Sequence, residues 1–283
     1  MERERRDSGP PLPPGPGGAY PVLVSIAIVV FLLAGFLTLG ALVEWVRPGG
    51  SDDPVNLLFV GLAIFPLTVL VALRLDPEGF DTLRGGLGLR PSRSATAVLA
   101  LLFGLAAVLP LAELDNILQA LFPLGEAERT VLLKLVGYQD WASHLAKVFA
   151  IAVITPIGEE IIFRGIILRW LRRSYGRLAA VAVSSLLFAS AHLSVRMFLT
   201  ILLLGIAFGW IADRARSVLP TIGAHAAYNA VPFLFPPQVA DVPGWAPTAD
   251  ASAAHLPTLW VVGSAAACIV LLYFIWWTTL RRE

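Results

Sequence analysis

Charge is scarce in this chain. Only 14% of its 283 residues are Asp, Glu, Lys or Arg, where a soluble domain carries about 25%. With 57% apolar residues, an ordinary soluble domain is excluded and a polytopic helical membrane protein is the natural class. The net charge of +1 supplies no basic face, so nucleic acid is not an expected partner. Cysteine is almost absent: the single Cys268 excludes an intramolecular disulfide and a thiolate metal cluster. It lies in an apolar run and reads as a small buried residue. Several hydrolase signatures are also missing. There is no Gly-x-Ser-x-Gly, no His-Glu-x-x-His and no paired intramembrane aspartate.

What the chain has is apolar runs. Residues 1–20 combine acids and arginines with a Pro/Gly stretch that cannot build a core, and read as a disordered cytoplasmic tail. Apolar runs long enough to span a bilayer follow at about 22–46, 55–73, 95–112 and 145–171. Shorter runs lie at about 178–193 and 197–212, and longer ones at 218–235 and 257–280. The expectation is a bundle of about eight transmembrane helices with both termini cytoplasmic. Lys and Arg support that orientation. Fifteen of the 21 fall on the cytoplasmic side of such a topology, five on the other, and Arg164 lies within a span. Residues 21–144 then form N-terminal helices and loops, 145–236 a core, and 237–283 an outer loop and the last helix. The mixed stretch 113–144 reads as an amphipathic segment beside the membrane. Trp170, Trp210, Trp276 and Trp277 read as interfacial anchors. His144 and His255 read as surface residues of outer loops.

Three groups of polar residues interrupt these runs. The first is Glu159-Glu160-Ile161-Ile162-Phe163-Arg164, and a charge at the centre of a spanning helix costs roughly 2.5–3.5 kcal/mol on insertion scales. Glu160 and Arg164 are spaced i,i+4 and can pair, while Glu159 is turned about 100° away and stays available. Pro156 and Gly158, just upstream, loosen the backbone ladder there. The second group sets Phe188 and His192 on one face, and the third does the same with His225 and Asn229.

Together these side chains make a hydrolytic set. A carboxylate can take the proton of an attacking water, one imidazole can share that water, and His225 and Asn229 can donate to a developing oxyanion. Glu159, His192 and His225 also make the two-His, one-carboxylate ligand set of a zinc site with an open position. The metal-free arrangement is favoured. Ser184, Ser185 and Ser190 remain open as nucleophiles, since helical spacing singles none of them out. At 1.5 Å per residue, Glu159 lies about 18 Å in from the outer end of its span. His192 lies near an outer end and His225 a turn or two from a cytoplasmic one, so the helices must tilt or break for the three to meet.

The motifs Glu-Glu-x-x-x-Arg, Phe-x-x-x-His and His-x-x-x-Asn, in this order on successive membrane runs, resemble the CAAX-processing and bacteriocin-processing (CPBP) family of intramembrane proteases. Its eukaryotic branch is the Rce1-type prenyl endopeptidase. The resemblance spans about 145–236. It implies a cytosol-facing cavity and a glutamate-dependent endopeptidase acting on a membrane-associated peptide or protein, in a multi-pass protein of the cell membrane. By position it makes Glu159 the base, His192 the partner that places the water, and His225 and Asn229 the oxyanion donors. Glu160 and Arg164 become the supporting pair, with no cofactor, or zinc as the alternative. A CAAX specificity does not carry over. Other readings are a non-catalytic scaffold or immunity-type protein of the same fold, and a proton-coupled transporter.

Overall fold

Among the described residues of the computed structural model, seven helical stretches are defined from end to end and no strand occurs. The described residues are 18–49, 53–75, 86–123, 125–126, 130, 140–236, 242–245 and 254–280. The tail expected at 1–20 falls, through residue 17, outside them. The helices are α1 (Tyr20–Val46), α2 (Pro54–Leu75), α3 (Ser94–Leu121), α4 (141–190), α5 (Phe198–Ala215), α6 (Leu219–Leu234) and α7 (Thr258–Leu280). Five of them, α1, α2, α3, α5 and α7, are long and apolar enough to cross a membrane. The described residues form an all-helical fold with five membrane-span-like helices, that of a multi-pass membrane protein.

α3 runs nine residues past the expected end of its span, through Glu113, Asp115 and Asn116, because tertiary partners take up these polar groups. Glu113 accepts from the Leu256 backbone at 2.8 Å and contacts His255 Nδ1 at 2.6 Å. Asp115 pairs with Arg196 at 2.7 Å, and Asn116 donates to the Gly244 carbonyl at 2.9 Å. The amphipathic segment expected over 113–144 is therefore helix α3 at its start, and most of its remainder lies outside the described residues.

α4 unites two expected spans without a loop. Its only break is at Gly176, where φ is 79° and ψ is 179°, a conformation open almost exclusively to glycine. Gly176→Ala meets no neighbour within 4 Å, so its expected cost of about 1–3 kcal/mol comes from the backbone alone. A fall in Tm comparable to that of a buried cavity mutant, despite the open surroundings, is the check.

α4 starts under an exposed Asp140 cap. The Ser143 hydroxyl and backbone N–H hold this carboxyl below the usual carboxylate range. Two wider, π-helical turns then flank the glutamates, at Ala150–Ile154 and Ile161–Ile167. In these turns Thr155 N–H bonds to the Ala150 carbonyl and Leu168 N–H to the Phe163 carbonyl, each five residues back. The short α-helical piece between them, Thr155–Glu160, carries both carboxylates.

Two apolar cores enclose this region. One joins α1, α2 and α4 through Ile28, Leu32, Ile64, Phe65, Ile162, Phe163, Ile166 and Phe188. The other joins α3, α5, α6 and α7 through Phe103, Leu204, Phe208, Ala224 and Ile275. α3 and α6 touch backbone to backbone, and a Cβ on Gly104 would come within 2.0 Å of the Ala224 carbonyl oxygen. A main-chain atom cannot rotate away, so Gly104→Ala is expected to push α6 outward and lower stability by about 1–3 kcal/mol, measured by thermal unfolding in lipid. Ala224 precedes His225, so this contact also sets the depth of a site residue.

Two expectations are overturned here. His144 is buried, not on a loop surface, with Nε2 3.1 Å from the Phe233 carbonyl, because α4 begins before it and turns it inward. Trp170 is likewise packed into the first core instead of anchoring at an interface.

Candidate active site

Arg164 is the largest fully buried side chain among the described residues, and its partners define the site. Its Nη1 donates to Glu160 Oε1 at 2.9 Å, and its Nη2 lies 3.4 Å from the Gly205 carbonyl. The guanidinium sits 4.1 Å from the Phe188 ring centroid and 5.9 Å from that of Phe208. An arginine planted in such aromatic walls keeps its charge because the ring faces and the carboxylate both favour it. The i,i+4 pairing expected from the sequence is thus present, with both side chains almost fully buried.

α6 supplies the next layer. His225 Nδ1 is 3.0 Å from Glu160 Oε1, and its Nε2 is 3.8 Å from Glu159 Oε2. The ring lies between Phe188 and Phe208, at centroid distances of 6.0 and 5.4 Å. The Thr221 hydroxyl, on the same face of α6, donates to the Val218 carbonyl at 3.0 Å. Glu160 is therefore held through Oε1 by a guanidinium and an imidazole, while its Oε2 is buried without a hydrogen-bond partner. Glu159 has neither partner: its Oε2 likewise lacks a hydrogen bond, and the 3.8 Å gap to His225 exceeds a direct one.

The depth problem is solved for His225, which the fold brings level with both glutamates. His192 lies just past the end of α4, its Nδ1 2.9 Å from the Phe188 carbonyl and its ring 4.9 Å from the Phe188 ring. It joins the site through Phe188 and makes no hydrogen bond to either glutamate among the described residues. Asn229 donates through Nδ2 to the Ile151 carbonyl at 3.0 Å. That carbonyl needs an outside donor. Its partner five residues on would be Pro156, which has no N–H, and Thr155 N–H is already used by Ala150. Asn229 keeps a second amide hydrogen.

One residue beside the site, Thr221, was missed in the sequence. Thr221, His225 and Asn229 recur at four-residue intervals, so a stripe on α6 could have revealed Thr221. Phe188, set by the sequence on one face with His192, is also the surface against which Arg164 and His225 stand, contacts that no sequence signal reports.

A zinc ion would need Glu159, His192 and His225 to converge. His225 Nε2 is directed at Glu159, but among the described residues no group of three His, Cys, Asp or Glu side chains is arranged to hold a metal. The donors present at the glutamates are one imidazole and one guanidinium.

Residues 141–231 match the family model described as Type II CAAX prenyl endopeptidase Rce1-like. This segment, about a third of the chain, is similar to Rce1-like domains. It contains all three motifs, the two π-helical turns and every side chain described above. Neither the curated proteins nor the solved structures yield a match to the chain.

Proposed function

We propose that this protein is an intramembrane endopeptidase that hydrolyses a peptide bond of a membrane-associated protein or peptide by water attack. One observation carries the reading. Of two adjacent glutamates, Glu160 is fully buried and held through Oε1 by Arg164 and His225, while Glu159 is partly exposed, at 15%, and keeps its Oε2 without a hydrogen-bond partner, 3.8 Å from an imidazole nitrogen. Polar groups at that separation are commonly bridged by a water. Glu159 takes a proton from that water, and the water oxygen bonds to the scissile carbonyl carbon. His225 and the second amide hydrogen of Asn229 donate to the oxyanion, and His192 places the water. The intermediate then collapses with loss of the amine, which takes its proton from Glu159. Glu160 and Arg164 act by holding His225.

The remaining parts of the reading are eight transmembrane helices with both termini cytoplasmic, a cleft opening to the cytosol and residence in the cell membrane. The Lys/Arg distribution supports them. On this reading the partners are lipids and a membrane-anchored substrate, and no cofactor takes part. The test is cleavage of a membrane-anchored peptide library by purified protein in vesicles, with and without chelator. Cleavage indifferent to chelator supports water activation by Glu159. Cleavage lost to chelator and restored by zinc replaces that mechanism with a metal one. A folded protein that cleaves nothing favours the scaffold reading.

A further inference from the structure

Ser184 and Ser185 are adjacent, equally buried at 2% exposure, and differently employed. The Ser185 hydroxyl donates to its own helix, to the Val181 carbonyl at 2.7 Å. The Ser184 hydroxyl crosses to the other half of α4 and donates to the Phe163 carbonyl at 2.9 Å. Phe163 lies in the second π-helical turn, which begins directly after Glu160, and its carbonyl is the one that accepts the five-residue bond from Leu168. Arg164, the partner of Glu160, is the next residue.

A π-helical turn matters here because each residue it adds rotates the helix beyond it by about 100° relative to an unbroken α-helix. The two such turns flanking Thr155–Glu160 therefore decide which face carries Glu159 towards α6. Both are tied to a neighbouring segment by a side chain on a carbonyl: Asn229 on Ile151 upstream and Ser184 on Phe163 downstream. We propose that Ser184 is a positioning residue, which holds the turn at Ile161–Ile167 in the register that points Glu159 at His225. Its hydroxyl hydrogen is committed to a carbonyl, so Ser184 acts through the backbone and not as a nucleophile. The inference rests on Glu159 as the working carboxylate.

Ser184→Ala and Ser185→Ala form a matched pair. Both should fold, since alanine favours a helix interior and the Phe163 carbonyl keeps its Leu168 donor. The first readout needs no substrate. Infrared bands of Glu159, assigned as those lost in Glu159→Gln, are compared in lipid. They are expected to be displaced in Ser184→Ala and to keep their wild-type position in Ser185→Ala. The second readout is turnover of whichever library peptide the wild type cleaves. Ser184→Ala should lose at least about tenfold in kcat with KM within about twofold, while Ser185→Ala keeps both. Bands unmoved in Ser184→Ala, or moved equally in both variants, overturn the proposal. So does a loss confined to KM. If the wild type cleaves nothing while the bands are displaced only in Ser184→Ala, the peptidase reading fails and the positioning role stands.

Discussion

Glu159→Gln is expected to lower cleavage by about 10²–10⁴-fold, the range lost when a positioned general base is removed, with little change in Tm. The amide is isosteric, and the side chain it replaces makes one 3.8 Å contact. The fold therefore gives up nothing it was using, while water loses its proton acceptor. The neighbouring Glu160→Gln is the contrast. It removes the charge that Arg164 and His225 both hold, so it should cost stability and activity together. Two glutamates one residue apart are expected to separate chemistry from support, and parallel Tm and kcat measurements on the two variants read that separation. Equal losses of Tm in both would remove the distinction between a working and a supporting carboxylate.

The largest stability effect is expected for Arg164→Met. Breaking a buried pair by removing one partner typically costs about 3–5 kcal/mol, because the charge left behind is no longer compensated. Here Glu160 would keep only His225 inside a shell walled by Phe188 and Phe208. Gly205 would also lose the donor to its carbonyl. The double variant Arg164→Met, Glu160→Gln should recover a large part of that loss, since removing both charges together spares the desolvation that one alone suffers. Thermal unfolding of the single and double variants in lipid measures the difference. A double variant as unstable as Arg164→Met alone would place the cost in packing against Phe188 rather than in charge.

The sequence by itself determined the class, most of the helix bounds and the local pairings along α4. Low charge and long apolar runs leave a lipid-embedded chain no choice but helices, so the bounds of α1, α2 and α5 to α7 follow the runs within a few residues. The Glu160–Arg164 pair and the contact of His192 with Phe188 are local, i,i+4 relations that a helix imposes before any tertiary contact forms. Pro156 marked where the ladder opens. Only the tertiary structure decided the rest. Glycine at 176 replaced an expected boundary by a backbone break. Three polar residues of α3 continued as helix because distant segments paired with them. His144 turned out buried because the helix starts before it. His225 reached both glutamates because Gly104 lets α3 and α6 meet at the backbone and two π-helical turns re-aim Glu159. Such rotations depend on which carbonyls lose their donors and which neighbouring side chains replace them. Those partners lie 20 to 80 residues away in the chain, beyond the reach of any local pattern.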